Sequence, residues 1–335
     1  MKIAIVGAGA IGGYAGVKLA LAGEQITFLA RGANLAAIRG GGMKLIESDG
    51  EELIARSVTA TADYAEAGPQ DVVILAVKAH QVDAVAGEVP KLFGSNTVLV
   101  TMQNGIPYWY FHDHGGPLQG RCIEAVDPGG RCMQRLPPAR VIGCVVYPAS
   151  ELASPGVIRH IEGDRFPVGE LDGSSSERVR AVSACFTRAG FKAPVLEDIR
   201  AEIWLKLWGN MTFNPVSALT RATLADICRY PPTRKLAADM MGEAQAVANK
   251  LGITFRLPIE RRIAGAEKVG NHKTSMLHDL EAGRALEIEA LLGAVVELAR
   301  LTATPVPSLE AVYALTKLLG RPFELTSQSR PAPSS

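Results

Sequence analysis

The first twelve residues, MKIAIVGAGAIG, constrain the fold of this chain more than any other stretch. Ile3 to Val6 reads as a short buried strand that runs straight into Gly7, Gly9 and Gly12. In a dinucleotide-binding turn the first glycine makes the bend and the second lets the backbone approach a pyrophosphate. The third lets the following helix pack closely on the strand. Ala10 to Ala22, rich in alanine and leucine and stopping at Gly23, supplies that helix. The pyrophosphate is then expected on the amides of its N-terminus, around Gly9, Ala10 and Ile11. Glycines also mark ordinary turns; here the strand before and the helix after carry the reading.

The rest of the first half keeps the same rhythm. Candidate strands at 25–30, 71–77, 97–102 and 141–147 alternate with helical segments, which predicts an α/β, Rossmann-type, doubly wound parallel sheet. Asp49-Gly50 between two short β-like runs (43–60) predicts a hairpin, and a second antiparallel pair is expected around Gly163-Asp164, from 156 to 168. From about Asp198 long helical patterns take over, so an all-helical C-terminal domain is expected. The expected boundaries are 1–195, 196–325 and a Ser/Pro-rich disordered tail, 326–335.

A length of 335 residues suits two cores. The net charge of +1 argues against a nucleic-acid or membrane-surface protein, leaving small molecules as the expected partners. Five cysteines without a CxxC pair suggest reduced thiols in the cytoplasm, and the N-terminal strand does not read as a targeting peptide. No apolar run is long enough to span a membrane.

The end of the second strand separates the two nicotinamide cofactors. NAD binding usually places an acid there for the ribose 2′-hydroxyl, yet no Asp or Glu occurs between Glu24 and Glu47. The chain offers Arg31 instead, which favours the 2′-phosphate of NADP. Lys78, after the apolar run VVILAV, is a second basic candidate at the carboxyl edge of the sheet. Each has a plainer reading beside this one, Arg31 as a solvated loop arginine and Lys78 as a strand-end lysine in water.

The other chemistry-bearing segment is IRAEIWLKLWGNMTFNP. It is apolar nearly all round a helix, but Lys206, Asn210 and Asn214 interrupt it at i, i+4 and i+8. A lysine so placed needs polar partners, and burial makes its ammonium readier to give up a proton. Plainer readings stand beside this one: a Glu202–Lys206 pair at helical spacing, and Asn214-Pro215 as the start of a new helix. Further on, Ser275 can cap a long helical run that carries Glu287, itself either a functional carboxylate or a solvated one. His112, Asp113, His114, Cys122 and Cys132 share a Gly/Pro-rich stretch without metal-site spacing, so no metal is expected there.

Together these segments resemble the ketopantoate reductase family (2-dehydropantoate 2-reductases). The resemblance runs from GAGAIGG through LAR, LAVKAHQ and QNG to RAEIWLKLWGNMTFNP and TSMLHDLEAGRALEIEA. It implies an NADP-dependent oxidoreductase of pantothenate and coenzyme A biosynthesis, with substrate bound between the Rossmann and helical domains. It further implies Lys206 as proton donor, Glu287 as the carboxylate that orients substrate, and Asn104 beside the nicotinamide. Asn210, Asn214 and Ser275 become substrate contacts, and Arg31 and Lys78 contacts to NADP(H). A homodimer is plausible for such a dehydrogenase. The stretch 106–140, aromatic at Tyr108 to Phe111 and then Gly/Pro-rich, departs from the family pattern and is expected to cover or reshape the substrate pocket. The competing readings are a reductase of another 2-oxo acid or ketone, and a non-catalytic NADP-sensing protein.

Overall fold

A computed structural model describes residues 1–328, with side chains described to 322. The chain forms two compact units. The first comprises 1–103, 108–122 and 129–199, and the second 104–107, 123–128 and the remainder from Arg200.

In the first unit, eleven strands and six helices follow in order. They are β1 (Lys2–Val6), α1 (Ala10–Leu21), β2 (Gln25–Leu29), α2 (Gly32–Gly41), β3 (Met43–Ile46), β4 (Glu52–Ala55), β5 (Thr59–Thr61), α3 (Tyr64–Ala67), β6 (Gln70–Leu75), α4 (Val82–Ala86), β7 (Phe93–Thr101), α5 (Arg131–Arg135), β8 (Val141–Cys144), β9 (Ala149–Ser154), β10 (Val157–Glu162), β11 (Val168–Gly169) and α6 (Glu177–Arg188). The main sheet has the order β11-β8-β7-β6-β1-β2-β5 and is parallel except for β11, as the doubly wound reading expects. Its central strands are buried: Ile3, Ala4, Ile5 and Val6 are at most 1% exposed, which explains their unbroken apolar run.

A second sheet, β4-β3-β10-β9, was only half legible in the sequence. The hairpin around Asp49-Gly50 forms as expected. The second antiparallel pair does not sit where expected. β10 pairs with β9 before it, through the turn at Gly156, while Val168 beyond Gly163 joins the main sheet against Cys144. Gly156 and Gly163 both have positive φ, so two turn signals lie seven residues apart and local chemistry does not choose the hairpin. Helix α1 lies between the sheets. Gly16 brings it onto Phe28 and Ile5 on one side, and Gly13 onto Ile158 and Met43 on the other. An added Cβ would lie 2.4 Å from the Phe28 ring on the first side and 2.6 Å from Ile158 on the second.

The second unit is helical: α7 (Ile199–Thr220, whose first residue belongs to the first unit), α8 (Leu224–Arg229), α9 (Pro231–Lys250), α10 (Ile259–Val269), α11 (Ser275–Glu281), a π-helical segment (Glu289–Gly293), α12 (Ala294–Leu301) and α13 (Pro307–Gln328). Helix α13 continues through 326–328, which the sequence reading assigned to a disordered tail; 329–335 lie outside the described residues. Trp204 and Trp208 on α7 are fully buried, and the Trp208 indole N–H donates to the Met241 carbonyl at 2.8 Å. Two short excursions of the chain belong to this unit. One is fastened by the Ile106 N–H donating to the Ala290 carbonyl (2.9 Å). The other is fastened by Glu297, whose carboxylate accepts from the Glu124 and Ala125 amides at 2.9 and 2.8 Å. Among the described residues no helix is long and apolar enough to cross a membrane.

Candidate functional site

In the first unit a cleft of about 370 Å³ opens at the carboxyl ends of β1 and β2. Gly7, Ala8, Gly9 and Arg31 line it, together with Asn34, Tyr64, Val77, Gln81, Glu88 and Leu152. The three glycines differ in geometry. Gly7 turns with φ +102°. Gly12 has no room for a side chain, because a Cβ there would lie 2.1 Å from the Gly7 carbonyl oxygen. A Cβ on Gly9 would meet nothing within 4 Å, so its backbone faces open space. Arg31 stands at the N-cap of α2, beside the cleft rather than away from it.

Ala10, Ile11 and Lys78 are not among the lining residues. Ala10 and Ile11 form the first turn of α1, and Lys78 lies three residues past the end of β6, as the N-cap of a short 3-10 turn. Its neighbours Val77 and Gln81 do line the cleft.

Three features escaped the sequence reading. The Asn34 amide donates to the Ala8 carbonyl at 2.6 Å and accepts from the Gly156 amide at 2.7 Å, tying the glycine loop, α2 and the β9–β10 turn together. Gln103 bridges two strand ends, its amide donating to the Leu75 and Val77 carbonyls at 2.7 and 3.0 Å. An acid does reach the cleft, from α4's side rather than from β2: Glu88 lines it and pairs with Lys91 at 2.8 Å. Between them, burial pushes the Tyr64 phenol above its ordinary pKa; the Arg31 charge opposes this and the Glu88 charge adds to it. A search restricted to the end of β2 finds Arg31 but has no view of Glu88 or Tyr64.

In the second unit α7 runs as one helix from Ile199 to Thr220, straight through Pro215, so Asn214-Pro215 does not start a new helix. Lys206, Asn210 and Asn214 therefore share one face. The Lys206 ammonium donates to the Asn104 side-chain oxygen at 2.5 Å, joining two residues 102 positions apart. Asn104 is held by a specific device. Gly105 follows with φ +88°, and a Cβ there would lie 2.2 Å from the Ala290 carbonyl oxygen. That carbonyl belongs to the π-helical segment, where the altered hydrogen-bond spacing accompanies an acceptor facing the Ile106 amide.

The Asn214 amide approaches the Ser275 hydroxyl at 3.5 Å. Ser275 is the first residue of α11, and the cap is Thr274, whose hydroxyl accepts from the Leu277 amide at 3.3 Å. The long helical run expected to carry Glu287 is interrupted. Helix α11 ends at Glu281, and Glu287 closes the non-helical stretch 284–287, half-buried, three residues before Ala290.

The aromatic residues after Pro107 are part of a core. Trp109, Tyr110 and Phe111 are at most 1% exposed, and the Trp109 indole N–H donates to the Thr101 hydroxyl at 3.0 Å. Gly143 accepts the same indole face, so these rings belong to the first unit's core. Their apolar side chains found an interior, which a loop reading of the Gly/Pro-rich surroundings hides. Among the described residues no three His, Cys, Asp or Glu side chains gather as a metal site, and His114 packs against Tyr110 and Phe111.

Comparison with known proteins adds to this geometry. Residues 3–173 match the family described as Ketopantoate reductase PanE/ApbA, and 198–320 match its C-terminal counterpart. A 2-dehydropantoate 2-reductase of Mesorhizobium japonicum is 55% identical over 320 residues, covering 95% of this chain and 98% of its own. A crystal structure from Ralstonia solanacearum MolK2, carrying a ketopantoate reductase assignment, superposes with a TM-score of 0.91 at 43% identity, over 96% of this chain and 98% of that one. The 2-dehydropantoate 2-reductase of Geobacter metallireducens GS-15 gives 0.83 at 27% identity, over 95% and 99%.

Proposed function

The chain belongs to the ketopantoate reductase family, and from that premise we propose that it is an NADPH-dependent oxidoreductase converting 2-dehydropantoate (ketopantoate) to pantoate. The observation that carries the reading is Lys206: a cation on a buried helix, held 2.5 Å from the Asn104 side-chain oxygen, on the face it shares with Asn210 and Asn214.

The first unit fits NADP(H). Gly9 leaves its backbone open to a pyrophosphate, the first turn of α1 (Ala10, Ile11, Gly12) offers unpaired amides to it, and Arg31 supplies a guanidinium for the 2′-phosphate. Lys78 supports the same end of the site. When bound, NADPH supplies the hydride for the 2-oxo carbon. Lys206 donates its proton to the carbonyl oxygen as negative charge grows there, and recovers one from solvent. A cationic donor aimed at developing charge favours the transition state over the ground state. Asn104 orients the ammonium through the hydrogen bond it accepts. Glu287 accepts a hydrogen bond from a substrate hydroxyl, while Asn210, Asn214 and Ser275 align the rest of the substrate.

The free cysteines fit a cytoplasmic enzyme, and a homodimer is favoured by Leu315 and Leu318, exposed one turn apart on α13. Light scattering of the wild type and of Leu318→Glu checks the latter: a dimer that the charge dissociates is expected.

The decisive test is NADPH oxidation against a panel of 2-oxo acids that includes ketopantoate. Ketopantoate is expected to be turned over fastest; indifference to it beside rapid use of another acid would make the chain a reductase of that acid. Absence of turnover with every acid, alongside tight NADPH binding, would favour the sensor reading.

A further inference from the structure

We propose that Arg262 on α10 is a substrate-binding residue, the counter-charge for the carboxylate of the 2-oxo acid. The argument begins with Gly209, in the middle of α7. A glycine inside a helix costs about 1 kcal/mol relative to alanine, so its place in a 22-residue helix calls for a packing reason. That reason is Arg262. A Cβ on Gly209 would lie 2.2 Å from one terminal nitrogen of the Arg262 guanidinium and 3.0 Å from its central carbon. The missing side chain is the seat in which the guanidinium lies.

Where that seat is matters more. Gly209 immediately precedes Asn210 and follows Lys206 by three residues, about 60° around the helix and about 4.5 Å along its axis. The guanidinium thus rests beside Lys206, on the flank opposite to Asn210 and Asn214, within the same unit. The chemistry of a 2-oxo acid asks for a cation there. Its carboxylate stays ionised throughout the reaction and must exchange water for protein. Asn210, Asn214 and Ser275 are neutral, and Lys206 is engaged with Asn104 and reserved for the carbonyl oxygen. A planar guanidinium with paired N–H donors matches a carboxylate, whereas a lysine offers only a point charge. The role assigned to Arg262 rests on the chain being a 2-oxo acid reductase.

The test compares each 2-oxo acid with its neutral methyl ester. The wild type is expected to prefer the acid strongly in kcat/KM. In Arg262→Gln the acid should lose roughly 10- to 100-fold, chiefly through KM, the ester should change little, and NADPH affinity by fluorescence should hold. Gly209→Ala keeps the arginine but fills its seat, and should shift the acid-to-ester ratio the same way by a smaller factor. Because alanine suits a helix, this second variant answers the question even if Arg262→Gln folds poorly. A wild-type acid-to-ester ratio in either folded variant overturns the Arg262 assignment while the reductase reading stands. A wild type that reduces no 2-oxo acid overturns the reductase reading itself.

Discussion

The two candidate regions are built on opposite principles. The cleft of the first unit is centred on a backbone turn: Gly7 and Gly9 line it, Gly12 closes the helix onto the turn, and Arg31, Tyr64 and Glu88 stand around it. The face of α7 presents side chains, and its key contact joins Lys206 to a residue 102 positions away. A backbone site is written in consecutive residues. A side-chain site depends on distant segments being held in place, here by the Ala290 carbonyl beneath Gly105. Damage to the first should appear in cofactor binding, and damage to the second in turnover.

The sharpest way to break that contrast is Lys206→Ala, expected to lower kcat by about 10³-fold while leaving NADPH affinity within about twofold, as for loss of a general acid. Equal loss of NADPH affinity would show that the two regions do not divide the work as described. Next come two glycines whose clashes are alike and whose consequences should differ. Gly105→Ala pushes the Asn104 turn off Ala290 and should cost on the order of 10²-fold in kcat, since small displacements of a catalytic group are expensive. Gly12→Ala should weaken NADPH binding at least about tenfold and spare single-turnover chemistry at saturating cofactor.

Arg31→Ala should weaken NADPH by roughly 10- to 100-fold, the worth of a charged hydrogen bond or two, with NADH nearly unchanged. Titration calorimetry with both cofactors reads this directly, and parallel losses would mean that Arg31 does not contact the 2′-phosphate. The smallest effect concerns pH. Burial and the neighbouring Glu289 push the Tyr313 phenol from 10.0 up to about 12. The folded state therefore holds this proton more tightly than the unfolded chain. The resulting stability is complete below about pH 10 and is lost as pH climbs towards 12. Tyr313→Phe removes its hydrogen bonds to Glu289 (2.9 and 3.2 Å) and should flatten that alkaline decline in denaturant melts; an unchanged slope would assign the decline to other groups.

Legibility follows the same division. GAGAIGG, the alternating strands and the switch to helices near residue 198 disclosed the parallel sheet and the helical second half, because periodicity and glycine chemistry act over a few residues. The face of α7 was legible too, since i, i+4 and i+8 are a local geometry. The pairing of β10 with β9 rather than across Gly163 was not, because both turns satisfy the same backbone rules. Nor was the fate of Trp109 to Phe111, whose surroundings read as loop while the rings themselves are core. Glu88, Tyr64 and Asn34 reach the cleft of the first unit from three separate elements, and no spacing along the chain announces that.

By itself, the sequence determined the class of fold, the glycine turn between the first strand and helix, the placing of Arg31 at the end of β2 and the lysine–asparagine face of one helix. These rest on interactions between residues that are neighbours in the chain, so their physics can be read in order. Only the tertiary structure decided that Asn104 accepts a hydrogen bond from the Lys206 ammonium, that a π-helical carbonyl seats the turn at Gly105, and that Gly209 makes room for Arg262. Such contacts depend on close packing between segments far apart in the chain, where a single Cβ more or less decides what fits.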